Sequence, residues 1–152
     1  MLVRWVFAAL HLLALGIGLG AVWARHRALR APLDAAGLRR VFYADTWWGV
    51  AALLWIATGL VRAFGGLEKG TAYYLQNHVF WLKMAALAVV LALEVWPMMT
   101  LIRWRIRRGH GQPIDTAAAG RLAWISAVQA GLVVVMVLAA TAMARGFGAG
   151  AR

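Results

Sequence analysis

The chain has 152 residues, of which 64% are hydrophobic and only 14% are charged. Soluble domains average about 45–50% apolar and about 25% charged residues, so this composition excludes a soluble enzyme and predicts an integral membrane protein. The formal net charge is +11, and the sequence has no cysteine, which excludes a disulfide scaffold, thiolate metal sites and iron–sulfur clusters.

Four apolar runs are long enough to cross a bilayer, for which a helix needs about 20 residues. The predicted helices cover about residues 4–24, 42–62, 78–102 and 121–145. The sequence therefore predicts an all-α, up-and-down bundle of four transmembrane helices, forming a single domain over residues 1–152. The first run exceeds the roughly 7–15 residues of a signal-peptide core, so we interpret it as a retained helix.

Basic residues are concentrated in two of the predicted connections. Segments 25–40 and 103–121 together hold ten of the 16 arginines and lysines. The positive-inside rule then places both segments in the cytoplasm and both termini on the opposite side of the membrane; in a bacterial inner membrane that side would be the periplasm. Two membrane effects account for the excess of basic residues: they orient the helices in the bilayer, and they attract anionic lipid headgroups. We therefore expect no nucleic-acid partner.

The first predicted helix carries a histidine inside its apolar run. One stripe of this helix holds a cation, that histidine and small residues: Arg4, Ala8, His11, Ala14 and Gly18. This pattern suits a porphyrin, with His11 as the axial metal ligand, room for a flat macrocycle, and Arg4 as partner of a propionate. An interhelical hydrogen bond from His11 and close packing at Gly16-x-x-x-Gly20 are the alternative explanation.

The second predicted helix begins near an acidic residue, Asp45, which precedes Thr46-Trp47-Trp48. Asp45 is a candidate catalytic residue, and the alternative is a helix N-cap followed by interfacial aromatic residues. Small residues continue its face and predict a packing stripe: Gly49, Ala52 and Gly59. Arg62, at the far end of this helix, is a second candidate partner for a propionate.

The third predicted helix contains Lys83 and Glu94, which are eleven residues apart and therefore share one face. We expect that face to point into the bundle, because lipid penalises both charges. Glu94 is a candidate proton relay; alternatively it bonds the carbonyl freed by Pro97, or Arg103 neutralises it. Lys83 is a candidate second heme ligand or propionate partner, or it snorkels to the interface. His78 is either an interfacial cap or a further ligand.

The fourth predicted helix has polar and sulfur-containing residues on one face: Gln129, Met136, Ala140 and Met143. Gln129 reaches the depth of Asp45 and Glu94, roughly 20–25 Å from the outer surface at about 1.5 Å per residue. The two methionines could meet a heme or a copper(I) ion. Methionine at helical spacing is, however, more typical of core packing.

A family resemblance is carried by the segment 38–84. Its motifs are Phe42-Tyr43-Ala44-Asp45-Thr46-Trp47-Trp48-Gly49, Gly66-Leu67-Glu68-Lys69-Gly70 and Asn77-His78. With Leu10-His11-Leu12-Leu13-Ala14 at the start, the chain resembles, over nearly its full length, a bacterial family of predicted four-helix inner-membrane proteins of unknown function. That resemblance implies the fold and brings no activity with it.

A more distant similarity is to the four-helix heme-dependent protoporphyrinogen oxidases and the related copper-resistance membrane proteins. It is carried by His11 with Gly18 and Gly20, and by Trp81-Leu82-Lys83. The similarity implies heme b, held by His11 and Lys83. The chain departs from the oxidase pattern, because it lacks the histidine just before that lysine and the asparagine-glutamate-proline element near the fourth span.

The leading functional hypothesis is therefore a b-type heme-binding redox protein, an oxidoreductase of porphyrin or quinone type. Two alternatives stay open: an accessory or structural subunit of a membrane complex, and a small ion or copper transport protein. In each case the partners we expect are the lipid bilayer and either further copies of the chain or a larger membrane complex.

Overall fold

The computed structural model describes residues 1–65, 72 and 75–148. Within this part of the chain there are four helices and no strand: α1 (Leu2–Arg30), α2 (Ala35–Phe64), α3 (His78–Gly109) and α4 (Ala119–Ala144). All four are long and apolar enough to cross a membrane. The predicted all-α bundle of four transmembrane helices is confirmed.

Three of the helices extend further than their apolar runs. α1 continues to Arg30, α2 already begins at Ala35, and α3 continues to Gly109. The segment 25–40, expected to be a connection, is therefore mostly helical, and only 31–34 links α1 to α2. A 29-residue helix is about 43 Å long, whereas the hydrocarbon core is about 30 Å thick. The arginine-rich ends thus continue as helix beyond the core.

The starts of α2 and α3 are fixed by side-chain caps. The Asp34 carboxylate accepts a hydrogen bond from the Gly37 backbone N–H (2.7 Å), and Asn77 accepts from the N–H of Val79 (2.9 Å). Asp45 lies well inside α2, so its interpretation as an N-cap is wrong. Caps of this kind satisfy donors that the first turn of a helix leaves unpaired.

The helices pack as a bundle with one open side. α1 lies against both α2 and α4, and α4 lies against α3. α2 and α3 do not form a closely packed pair within the described residues. Instead, long side chains of α3 cross the space to α2 at two levels: Arg105 contacts Asp45, and Lys83 lies beside Trp55. The result is a groove between α2 and α3 whose floor is formed by α1 and α4.

Close approach of α1 to α2 occurs at Gly18. A Cβ atom added there would lie 3.4 Å from the Ala51 Cβ and 3.7 Å from the Trp48 ring. At Gly16 and Gly20 an added Cβ would have no atom within 4 Å among the described residues. The expectation that Gly16-x-x-x-Gly20 packs helices together within the chain is therefore wrong. A role for that face in contacts with a second chain stays a prediction.

This difference predicts the effect of enlarging each glycine. Gly18→Leu should lower the free energy of unfolding by about 1–3 kcal/mol, because its side chain overlaps Trp48 and forces α1 away from α2. Gly16→Leu and Gly20→Leu, the matched controls, should change it by less than about 0.5 kcal/mol. Unfolding by SDS in mixed micelles, followed by circular dichroism, measures all three. A Gly18→Leu variant as stable as the controls would contradict the packing described above.

The face of α4 that carries its polar and sulfur-containing residues points into the bundle. Gln129, Met136 and Met143 are all buried. Met136 packs in an apolar cluster with Val90 of α3 and Val133. The two methionines therefore belong to the core, as their helical spacing favours.

Candidate functional site

One buried arginine joins all four helices at a single level of the bundle. Arg25 of α1 is 0% exposed. Its Nη1 donates to Asp45 Oδ1 (2.7 Å) and Glu94 Oε1 (2.8 Å), and its Nη2 donates to Glu94 Oε2 (2.9 Å) and Gln129 Oε1 (2.8 Å). Its Nε donates to Ser126 Oγ (3.1 Å). These five bonds use all five N–H groups of the guanidinium.

A second arginine balances the charge of this group. Arg105 of α3 lies 2.9 Å from Asp45 Oδ2 through its Nη2, which also donates to the Phe42 carbonyl (2.9 Å). Gln129 Nε2 donates to Glu94 Oε2 (2.7 Å). We call this group the Arg25 cluster; it comprises Arg25, Asp45, Glu94, Arg105, Ser126 and Gln129. Two cations face two carboxylates, and such pairing is what makes a buried charge tolerable.

The Arg25 cluster assigns partners to two predicted site residues. Asp45 and Glu94, the catalytic candidates, come together on one guanidinium. Glu94 pairs with Arg25 rather than with Arg103, which is exposed. Arg25 was not predicted as a site residue, because it directly follows the apolar run and resembles the other arginines of segment 25–40. Its helical spacing could have indicated burial, because it continues the stripe formed by His11, Ala14, Gly18 and Val22. The structure buries all five residues.

The second polar level is centred on His11. Its side chain is buried (9% exposed), and Nδ1 lies 2.9 Å from Thr58 Oγ1 of α2. The Thr58 hydroxyl donates to the Leu54 carbonyl (2.7 Å), so its oxygen can accept a hydrogen bond from the Nδ1–H tautomer of His11. An added Cβ at Gly59 would lie 3.1 Å from His11 Cε1. The interhelical hydrogen bond expected as an alternative role of His11 is thus present.

Trp55 of α2 lies between His11 and Lys83. Its ring stacks on the His11 imidazole, with 5.5 Å between centroids and 24° between planes. On the α3 side, Lys83 Nζ lies 5.8 Å from the Trp55 ring centroid. The Trp55 Nε1 is buried and has no hydrogen-bond partner among the described residues. We call His11, Trp55, Thr58 and Lys83 the His11 cluster. Trp55 was not among the predicted site residues, and nothing in its local pattern distinguishes it from other membrane tryptophans.

The remaining predicted ligands lie towards the helix ends. Arg4 is exposed near the start of α1, His78 is exposed at the first residue of α3, and Arg62 lies one turn beyond Thr58 on α2. Among the described residues there is no group of three or more His, Cys, Asp or Glu that could hold a metal ion. The segment 66–70, which carries part of the family resemblance, lies outside the described residues.

The groove between α2 and α3 reaches one residue of each cluster, Trp55 and Glu94. It is bordered by Trp48, Ala51 and Trp55 on α2, by Leu87, Val90 and Glu94 on α3, and floored by residues such as Gly18 and Val133. It encloses about 450 Å³ of empty space including its mouth, and little of that space is wide enough for a water molecule. The groove is therefore a narrow apolar slot whose lining includes Trp55 and Glu94.

Comparison with known proteins agrees with this architecture. A family model described as predicted membrane protein (DUF2214) matches residues 3–148. Because the match covers nearly the whole chain, the protein belongs to this family of predicted membrane proteins. No curated protein and no solved structure matches it. The resemblance to a family of predicted membrane proteins is thus confirmed over nearly the full chain.

Proposed function

We propose that the chain is an intramembrane binding protein for a lipid-soluble carbonyl compound of the quinone class, held in the α2–α3 groove. The observation that carries this proposal is the buried Trp55 Nε1, which has no acceptor among the described residues. A buried donor left unpaired costs about 1–3 kcal/mol. A ligand oxygen placed beside Trp55 removes that cost, so the site favours a ligand that accepts hydrogen bonds.

The chemistry around Trp55 narrows the ligand class. Lys83 is half-buried beside the same ring, and no carboxylate pairs with it among the described residues. An ammonium group in an apolar setting stabilises a polarised carbonyl oxygen or the anion of a reduced quinone. Apolar walls along Leu87 and Val90 suit an aromatic ring and its tail. The open side of the groove gives a ligand dissolved in lipid direct access.

A single substitution tests this proposal. Short-chain decylubiquinone should bind saturably to the detergent-purified protein in isothermal titration calorimetry. Trp55→Phe keeps an aromatic ring and removes the N–H, so it should weaken binding by about 3- to 10-fold, the value of one neutral hydrogen bond. Trp124→Phe is the matched control, because Trp124 is 64% exposed on α4 and does not border the groove. Equal affinity for Trp55→Phe and the parent would argue against the site, as would no saturable binding.

Heme b is the second candidate, with His11 as axial ligand and Lys83 as second ligand or propionate partner. It is favoured by the burial of His11 and by its Thr58 bond, since an outer hydrogen bond commonly orients a metal-binding histidine. The slot is narrow for either ligand; because a porphyrin is wider than a quinone ring, α2 and α3 would have to separate further to admit it.

An absorption spectrum of the same preparation, oxidised and then reduced with dithionite, separates the two candidates. A Soret band at about one heme per chain would favour heme. A flat visible spectrum together with quinone binding would favour the first proposal. A Soret band without any quinone binding would replace the quinone proposal with the heme proposal.

A further inference from the structure

A second recess lies at the end of the bundle where α2 begins and α3 ends. It is a wide, shallow recess of about 610 Å³ that opens broadly at the surface. Its lining is basic and aromatic: Ala36, Arg39, Arg40, Phe42, Tyr43, Thr46 and Arg108. We call it the arginine cleft. The arginine cleft lies beyond the Arg25 cluster and is separate from the α2–α3 groove.

The arginine cleft carries positive charge that the protein itself does not balance. Among the described residues, no carboxylate forms a salt bridge with Arg39, Arg40 or Arg108. The two acidic residues nearest to Arg39 and Arg40 in sequence have other partners: Asp34 caps α2, and Asp45 pairs with Arg25 and Arg105. This contrasts with the Arg25 cluster, in which charges are equal. The cleft therefore favours an anion from outside the chain.

An aromatic ring organises two of the guanidinium groups at this cleft. Arg105 and Arg108 lie over Phe42, with Cζ-to-centroid distances of 5.2 and 5.7 Å. Cation–π contacts of this kind hold a guanidinium in place while its N–H groups stay available. Arg108 is thus positioned at the wall of the cleft before any anion binds.

Neighbouring residues place the cleft at the level of lipid headgroups. Tyr43 is 69% exposed and Trp47 is 42% exposed, both at the cleft or one turn further along α2. Such amphipathic rings concentrate at the membrane–water interface. The exposed apolar residues Leu53 and Leu54 follow on the same helix. An anion bound here would have hydrocarbon-facing surface directly beside it.

We propose that the arginine cleft binds the phosphodiester group of an anionic phospholipid, with Arg39, Arg40 and Arg108 donating to the phosphate oxygens. Guanidinium groups match phosphate because two N–H donors can engage two oxygens at once. The acyl chains lie along the exposed apolar face of α2. Free inorganic phosphate shares the headgroup chemistry but gains nothing from that apolar face, so the lipid is the expected occupant.

Lipid titration of the delipidated full chain, read by native mass spectrometry, tests the proposal. Phosphatidylglycerol should bind saturably at one molecule per chain, and phosphatidylcholine at least tenfold more weakly. The triple variant Arg39→Gln/Arg40→Gln/Arg108→Gln should lose roughly ten- to hundredfold in affinity for phosphatidylglycerol. Millimolar inorganic phosphate should not displace the lipid.

A charge-matched triple variant separates a site from a general basic surface. Arg27→Gln/Arg30→Gln/Arg107→Gln removes three exposed arginines that do not line the cleft, and should change the affinity by less than about threefold. If the first triple variant does not fold, Arg40→Gln alone should still lose about fivefold. Equal losses in the two triple variants, equal binding of the two lipids, or displacement by phosphate would each overturn the proposal.

Discussion

Arg25→Leu is expected to lower the free energy of unfolding by about 3–5 kcal/mol, the cost of breaking a buried ion pair from one side. The substitution leaves Asp45 and Glu94 with one nearby cation, Arg105, which reaches Asp45 alone. Glu94, whose side chain is only 20% exposed, then has no cationic partner among the described residues and keeps only uncharged side-chain donors, Gln129 and Trp48. Unfolding by SDS in mixed micelles, followed by circular dichroism, measures the loss.

Two controls determine which property of Arg25 matters. Arg25→Lys keeps the charge but replaces five fixed donors by three on a flexible chain, so it should lose about 1–3 kcal/mol. Arg27→Leu removes an exposed charge two residues along the same helix and should change stability by less than about 0.5 kcal/mol. If Arg25→Leu were as stable as Arg27→Leu, the Arg25 cluster would not stabilise the bundle.

The features of the fold that could be predicted are those set by short stretches of sequence. Each apolar run fixes a helix, because a chain in lipid must satisfy its backbone hydrogen bonds internally. The constant rise per residue of a helix then sets the depth of each residue in the membrane. It predicts that Asp45, Glu94 and Gln129 lie at one level. These three residues do meet, on the Arg25 guanidinium.

Arg25 itself was missed because its burial depends on residues far away in the chain. Taken alone, it ends an apolar run and resembles the other arginines of segment 25–40. Its partners on the other three helices lie 20, 69, 101 and 104 residues away. Charge counting treats every arginine as solvated, whereas this one is enclosed by three helices that supply matching acceptors.

The groove and its residues could not be predicted for a different reason. Membrane helices are apolar on most faces, so periodicity does not reveal which face meets a neighbouring helix and which meets lipid. The sequence therefore suggested Gly16 and Gly20 as contact points, although Gly18 is the residue that meets Ala51 and Trp48. Trp55 likewise becomes distinctive only when α1 and α3 bring His11 and Lys83 to its ring.

Adding Glu94→Leu to Arg25→Leu is expected to restore about 2–4 kcal/mol of the stability lost in the single variant. The double variant removes both charges of the two-bonded Arg25–Glu94 pair and replaces them with apolar side chains. Asp45 retains Arg105 as its partner at 2.9 Å. Glu94→Leu alone should be destabilising, because it leaves Arg25 and Arg105 sharing one carboxylate. The same SDS titration, applied as a double-mutant cycle, gives the coupling energy.

The cycle needs a pair without contact for comparison. Thr141 is exposed on α4, and its hydroxyl donates to the Leu138 carbonyl of the same helix. The effects of Arg25→Leu and Thr141→Ala on the free energy of unfolding should therefore add within about 0.5 kcal/mol. Additivity in the Arg25–Glu94 pair as well would contradict the direct pairing of these two side chains.

Quinone binding by the double variant then distinguishes a structural role for the Arg25 cluster from a functional one. If the cluster serves only to hold four helices together, a double variant with restored stability still binds decylubiquinone as the parent does, because Trp55 and Lys83 are unchanged. If stability returns and binding does not, Glu94 takes part in the ligand site as a residue that lines the groove. Two outcomes of one variant thus separate the role of a buried ion pair in folding from a role in ligand binding.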